Sequence, residues 1–237
     1  MTAPRVVSLV PSVTETLLAL GCTPIACTRF CEQPSIPTVG GTKDPDVAAI
    51  VALRPDVVVM NDEENRREDL AALRAADLTV VAVSPRSVVA VGAAVGTLAG
   101  IAGVEAPGPF AGWGAWVAEH TAGAVDGVAI TMIWRRPWMA LGRDTYGASV
   151  VAALGYATPF ADDRYPEVSL DRARRLRPDT VLLPTEPYPF GPRHVAEVAT
   201  GVPGAEVALV DGQDLLWWGI RTPDALTRLA EQLRPPG

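Results

Sequence analysis

Polar and apolar positions along this chain change by segment, not by residue, and the segments repeat in order. The opening Arg5-Val-Val-Ser-Leu-Val-Pro11 is a β-branched run without alternation, which predicts a strand buried on both faces of a parallel sheet. Pro11 stops it. Ser12-Val-Thr-Glu15 then has the S-x-x-E spacing of a capping box, and Gly21 suits the C′ position of the helix that follows. Asp44-Pro-Asp-Val47 leads into a helical stretch to Leu53, which Pro55 ends, and Val57–Met60 reads as a short buried strand. A helix over 65–76 and a strand over 78–83 follow, and alternating β and α predicts a parallel sheet covered on both faces.

The second half repeats this grammar. The pattern predicts a strand over 128–133, a helix over 144–154 and a strand over 180–183. Ala153-Leu-Gly155 echoes Ala19-Leu-Gly21, Pro166-Glu-Val168 echoes Pro45-Asp-Val47, and Leu176-Arg-Pro-Asp179 echoes Leu53-Arg-Pro-Asp56. The last two pairs are offset by 121 and 123 residues, so two extra residues are expected within the intervening helix. Glu186 follows Asp179 by seven, as Glu63 follows Asp56. Landmarks kept in order at a nearly constant offset predict two related lobes. Between them, Val88, Val91, Val95, Leu98 and Ile101 recur at helical spacing. Gly92, Gly96 and Gly100 each weaken that helix by about 1 kcal/mol relative to Ala, while letting it pack closely. Pro107-Gly-Pro109 breaks it before an amphipathic piece over 110–122. The expected fold class is α/β, with two Rossmann-like lobes of parallel sheet (1–84 and 126–237) joined by a helical connector (85–125).

Composition narrows the function. Of 237 residues, 49% are hydrophobic and 20% charged, enough apolar content for a sizeable core. A net charge of −7 with a single lysine, Lys43, argues against a nucleic-acid surface, which needs clustered cations. Cys22, Cys27 and Cys31 fall within ten residues with no partner elsewhere, so they read as packing residues or free thiols. No charged n-region and apolar h-region precede Arg5, so the chain reads as cytoplasmic as given, or as an extracytoplasmic mature form whose leader has been removed. Val39-Gly-Gly-Thr-Lys43 lacks phosphate-loop spacing, and neither G-x-G-x-x-G after a strand nor G-x-S-x-G occurs.

In open α/β sheets, ligands bind beyond the carboxyl ends of the strands. The predicted ends carry Ser12, the segment 62–65, Trp134-Arg-Arg-Pro-Trp138, Tyr188 and Phe190 between prolines, and Trp217, Trp218 and Arg221. Trp134 and Trp138 around Arg135 and Arg136 suit a flat or bulky ligand with peripheral acceptors, held by stacking and charge-assisted hydrogen bonds. The alternative is that the tryptophans cap the sheet and the arginines are solvated. Arg143 and Tyr146 are weaker candidates. His120 and His194 read as surface or packing residues, too few for a bare-metal site.

The segments 5–15 and 17–21 resemble the opening of the helical-backbone substrate-binding proteins of ABC importers. Val39-Gly-Gly-Thr-Lys43, Leu53-Arg-Pro-Asp56 and Pro184-Thr-Glu-Pro-Tyr-Pro-Phe190 resemble its cobalamin and iron-complex branch. The resemblance implies a binding protein, not an enzyme, that holds a corrinoid such as cobalamin, or secondarily a ferric siderophore or haem, in the cleft between its lobes. It also implies an ABC permease as partner, docked by one acidic residue per lobe; Glu63 (or Glu64) and Glu186 stand at repeat-equivalent positions that are expected to be exposed. The competing class is a cytosolic lyase or transferase on the same scaffold.

Overall fold

The computed structural model describes residues 3–121, 125–161 and 163–233, so the end of the expected amphipathic piece, Ala122, lies outside it. The chain divides into two compact units, each with its own sheet. Unit 1 runs to Pro85 and takes in Ala90–Trp113 and Trp218–Ile220. Unit 2 comprises Arg86–Val89, Gly114–Trp217 and the chain from Arg221.

Unit 1 contains β1 (Val6–Ser8), α1 (Pro11–Ala19), β2 (Ala26–Cys27), α2 (Val47–Leu53), β3 (Val57–Met60), α3 (Arg67–Ala75) and β4 (Val80–Ala82). Its sheet has the order β2-β1-β3-β4, and all pairs are parallel. Val7, Leu9, Val58 and Met60 meet Ile50 of α2 and Leu73 of α3 in one core, which is why these strands lack alternation. The capping box expected at Ser12 does not form. Val10 is the N-cap and Pro11 the first helical residue, because proline fixes a helical φ and needs no hydrogen bond there. The other end closes as expected. Gly21 takes φ +77°, its N–H bonds Leu18 O at 3.0 Å, and Cys22 N–H bonds Leu17 O at 2.9 Å, the two bonds of a Schellman closure.

The connector begins with α4 (Val88–Ala102), and a 3₁₀ turn leads to α5 (Trp113–His120). Of its glycines, Gly92 is filled by Trp113, whose side chain a Cβ there would strike. Gly96 and Gly100 have nothing within 4 Å, so close packing does not account for them.

Unit 2 contains β5 (Gly127–Trp134), β6 (Met139–Ala140), α6 (Tyr146–Ala153), β7 (Tyr156–Ala157), α7 (Leu170–Leu176), β8 (Thr180–Pro184), α8 (Pro192–Gly201), β9 (Glu206–Val210), α9 (Gly212–Leu216) and α10 (Thr222–Gln232). The sheet order is β6-β5-β8-β9, with β7 also on β5. It is parallel apart from the edge strand β6, which runs antiparallel to β5.

The repeat holds at the level of single hydrogen bonds. Asp46 caps α2 by accepting from Ala49 N at 2.9 Å, and Ser169 caps α7 by accepting from Arg172 N at 3.2 Å. Both helices have seven residues and end on a left-handed arginine, Arg54 (φ 47°) and Arg177 (φ 49°), where the following proline disfavours further helix. The carboxylates of Asp56 and Asp179 each accept, at 2.7 Å, the N–H of the residue 51 positions earlier, Arg5 and Val128. The two extra residues expected inside the second helix therefore precede its cap. Among the described residues, no helix is long and apolar enough to cross a membrane.

Candidate functional site

The strands of unit 2 end on a polar and aromatic face. At the end of β5, Trp134 remains exposed (43%). Its ring meets Tyr188 edge-on at 5.5 Å between centroids. Tyr188 and Phe190 come from the loop after β8, which is held against α9: Gly212 N–H bonds Thr185 Oγ1 at 2.9 Å, and a Cβ on Gly212 would strike Glu186. Glycine is required there for close approach, not for its φ.

The Trp134–Trp138 segment divides by role. Trp138 is half-buried, stacks on Phe190 at 5.9 Å and 3°, and packs against the core of unit 2. The Arg135 guanidinium lies 5.7 Å from the Trp138 ring centroid and makes a paired ion bridge to Glu197 at 2.8 and 2.9 Å. That hydrogen bonding holds the Glu197 carboxyl below its ordinary range. Arg136 is exposed, with no hydrogen bond or ion pair to another described residue. One aromatic ring and one cation of the pentapeptide thus remain open to solvent.

The second group sits after β9. Trp217 Nε1 donates to Glu186 Oε1 at 2.6 Å. Arg221 lies 5.1 Å from the Trp217 centroid and bonds Asp214 at 3.1 Å and Gln213 at 3.2 Å. Arg228 meets the same buried Asp214 through two hydrogen bonds of 2.6 Å. These contacts lock the Trp217–Arg221 pair in place. Trp218 parts from its neighbour: it belongs to unit 1 and is buried, and its indole N–H lacks a protein partner. Ser12 is likewise buried in unit 1, the second residue of α1, its hydroxyl unpartnered.

Neither acidic residue has the exposure expected of it. Glu63 is half-buried, its carbonyl accepting from Lys43 Nζ at 2.7 Å and its N–H bonding Asn61 Oδ1 at 2.8 Å. Glu186 is half-buried and holds the Trp217 indole. Tyr146 is buried, its hydroxyl 3.0 Å from Thr222 Oγ1, so it supports the fold. Arg143 is exposed.

His120 stacks on Trp116 at 4.4 Å, with Nδ1 2.9 Å from the Trp116 carbonyl. His194 is buried in edge contact with Tyr188 and Phe190. Its Nδ1 accepts from Gly191 N–H at 3.0 Å, and its Nε2 lies 3.3 Å from Arg193 Nε. A neutral ring accepting at Nδ1 carries its proton on Nε2, so we read the Arg193 approach as a contact and not a hydrogen bond. Burial, then Arg193 and Arg135, pull the His194 pKa below its ordinary value, with Glu197 opposing in part. The sign follows. Above about pH 6.5 both folded and unfolded chains keep this ring neutral. As pH falls towards the lower folded pKa, the unfolded chain takes up the proton first and stability is lost. The melting temperature should fall more between pH 7 and pH 5 for the parent than for His194→Asn; equal slopes would refute the assignment.

Unit 1 supplies one residue that sequence reasoning missed. Phe30 is 49% exposed in the turn after β2, with the Arg29 guanidinium 4.8 Å from its centroid. Arg29 is pinned to Asp44 by hydrogen bonds of 2.9 and 3.1 Å. Phe30 and Trp134 are the aromatic residues among the exposed large hydrophobic side chains described; Phe30 follows β2 and Trp134 is the last residue of β5. A two-residue strand carries no periodicity, so the place of Phe30 was not visible in the sequence. Among the described residues, no three His, Cys, Asp or Glu side chains are grouped to hold a bare metal ion.

Known proteins bear on this arrangement. Residues 6–108 match the periplasmic binding protein family. The vitamin B12-binding protein of Salmonella choleraesuis (strain SC-B67) is 24% identical over 193 residues, covering 76% of this chain and 72% of that protein. The periplasmic vitamin B12-binding protein BtuF of Vibrio cholerae superposes with a TM-score of 0.81 at 19% identity, over 98% of this chain and 96% of that one. The periplasmic heme-binding protein HutB of Vibrio cholerae gives 0.80 at 21%, over 99% and 100%. Residues 6–108 thus carry the sequence pattern of the periplasmic binding protein family, and over nearly its whole length the chain has the fold of these two periplasmic binding proteins.

Proposed function

We propose that this protein binds a preformed metal chelate, a corrinoid such as cobalamin ahead of a ferric siderophore or haem, for ABC-type uptake or intracellular carriage. The carrying observation is the solvent-exposed Trp134 ring beside the unpaired Arg136, fixed at the end of β5 by Tyr188 and the loop after β8. A π face and a cation without a hydrogen-bonded partner among the described residues suit a broad ligand with polar edges. Phe30 offers a second exposed ring on unit 1, beside an arginine already held by Asp44. His194, buried and accepting from Gly191 through Nδ1, presents no free imidazole for axial ligation. We read this as support for a chelate that brings its metal's ligands with it, a corrinoid before haem. The relatives named for vitamin B12 support the same order. The test is titration of the purified protein with cyanocobalamin, haem and a ferric chelate, followed by quenching of its six tryptophans. Saturable 1:1 quenching by cyanocobalamin is expected, and its absence at every concentration tested would overturn the corrinoid reading.

A further inference from the structure

Two thiols of unit 1, four residues apart in sequence, share one small buried cluster. Cys27 ends β2 and Cys31 ends the 3₁₀ turn Arg29–Cys31; both are buried in one small cluster with Ile36. Cys31 Sγ lies 3.2 Å from Thr14 Oγ1, which donates to it, and 3.2 Å from Thr28 Oγ1. Between the two cysteines stand Arg29 and the exposed Phe30. We propose that Cys27 and Cys31 form a peroxide-sensitive dithiol whose closure to a disulfide resets the Arg29–Phe30 turn. The roles differ. Cys31 Sγ has two hydroxyls within hydrogen-bond distance and lies directly after the exposed Phe30, which assigns it the attacking role. Burial and the neighbouring Cys31 push the Cys27 thiol up to about 12, so it stays protonated as the resolving partner.

The chemistry balances with hydrogen peroxide as oxidant. Cys31 gives up its thiol proton and its sulfur attacks one peroxide oxygen, forming a sulfenic acid and releasing hydroxide, which that proton converts to water. Cys27 sulfur then displaces the sulfenic hydroxyl, which takes the Cys27 thiol proton and leaves as water. Two thiols and one peroxide become one disulfide and two waters.

The third thiol, Cys22, is buried outside the cluster with its pKa raised by burial, and serves as an internal control. Peroxide treatment of the native protein should lower the denatured thiol count from three to one. Cleavage after Arg29 separates fragments 6–29 and 30–43, which should remain linked until reduced. Fragmentation of the linked pair, or the Cys22→Ser variant, assigns the sulfur on the first fragment, and Cys31→Ser should abolish the link. Three free thiols after treatment, a link through Cys22, or Cys31 stopping at sulfinic acid would each overturn the proposal. Any effect on chelate binding rests on the ligand reading above. A link that forms in a protein with no chelate affinity supports the dithiol and counts against that reading alone.

Discussion

Trp134→Ala should weaken cyanocobalamin binding about thirtyfold, the equivalent of about 2 kcal/mol for truncating an aromatic anchor, and should do so equally at low and high salt. The ring is exposed before binding, so its removal leaves little cavity and the melting temperature should stay within a degree or two of the parent. Arg136→Ala, beside it, should weaken anionic ferric chelates more than neutral cobalamin, with the loss fading as salt rises. Titration of both variants at two ionic strengths separates the roles. Parent-like affinity of both for every chelate would make the exposed end of β5 a surface and not a site.

Trp138→Ala should do the reverse. This ring is packed on Phe190 and the core cluster around Ile130, Met132 and Leu183. Deleting it removes buried surface and leaves a cavity, for a loss of about 3 kcal/mol, at the lower end for a core aromatic because the residue is only half-buried. At about 2–4 °C per kcal/mol for a chain of this size, the unit 2 transition should drop by roughly 6–12 °C. Chelate affinity measured well below that transition should fall less than in Trp134→Ala. The sequence reading had both tryptophans stacking on the ligand; a Trp138 variant that keeps its melting temperature but loses binding would restore that reading. Because Trp138 also supports Arg135 and thereby Glu197, Trp138→Phe should recover most of the stability.

Local physics made much of this molecule readable in advance. Unbroken β-branched runs identified β1 and β3, because strands covered on both faces need no polar alternation. The Leu-Arg-Pro-Asp pair and its surrounding landmarks announced two related sheets, since a proline that ends a helix and an aspartate that ties the next strand act through near neighbours. Gly21 marked the end of α1 for the same reason. Segments too short for a period stayed hidden: β2, β6 and β7 have two residues each and exist only because a longer neighbour offers its edge.

Residue types at the candidate site were also legible, since Trp, Tyr and Arg gathered after strands are rare enough to notice. Their division of labour was not. Whether an arginine is free depends on a carboxylate 62 residues away, as Glu197 is from Arg135. Whether a tryptophan is open depends on how the neighbouring ring lies: Phe190 stacks parallel on Trp138, while Tyr188 meets Trp134 in a T-shaped contact that leaves it 43% exposed. The sequence alone thus determined the α/β order, the internal repeat and the kinds of side chain at the strand ends, all set by interactions within a few residues. Only the tertiary structure decided which of those side chains are paired and which still face solvent, because pairing and burial are settled by groups that folding brings together from distant parts of the chain.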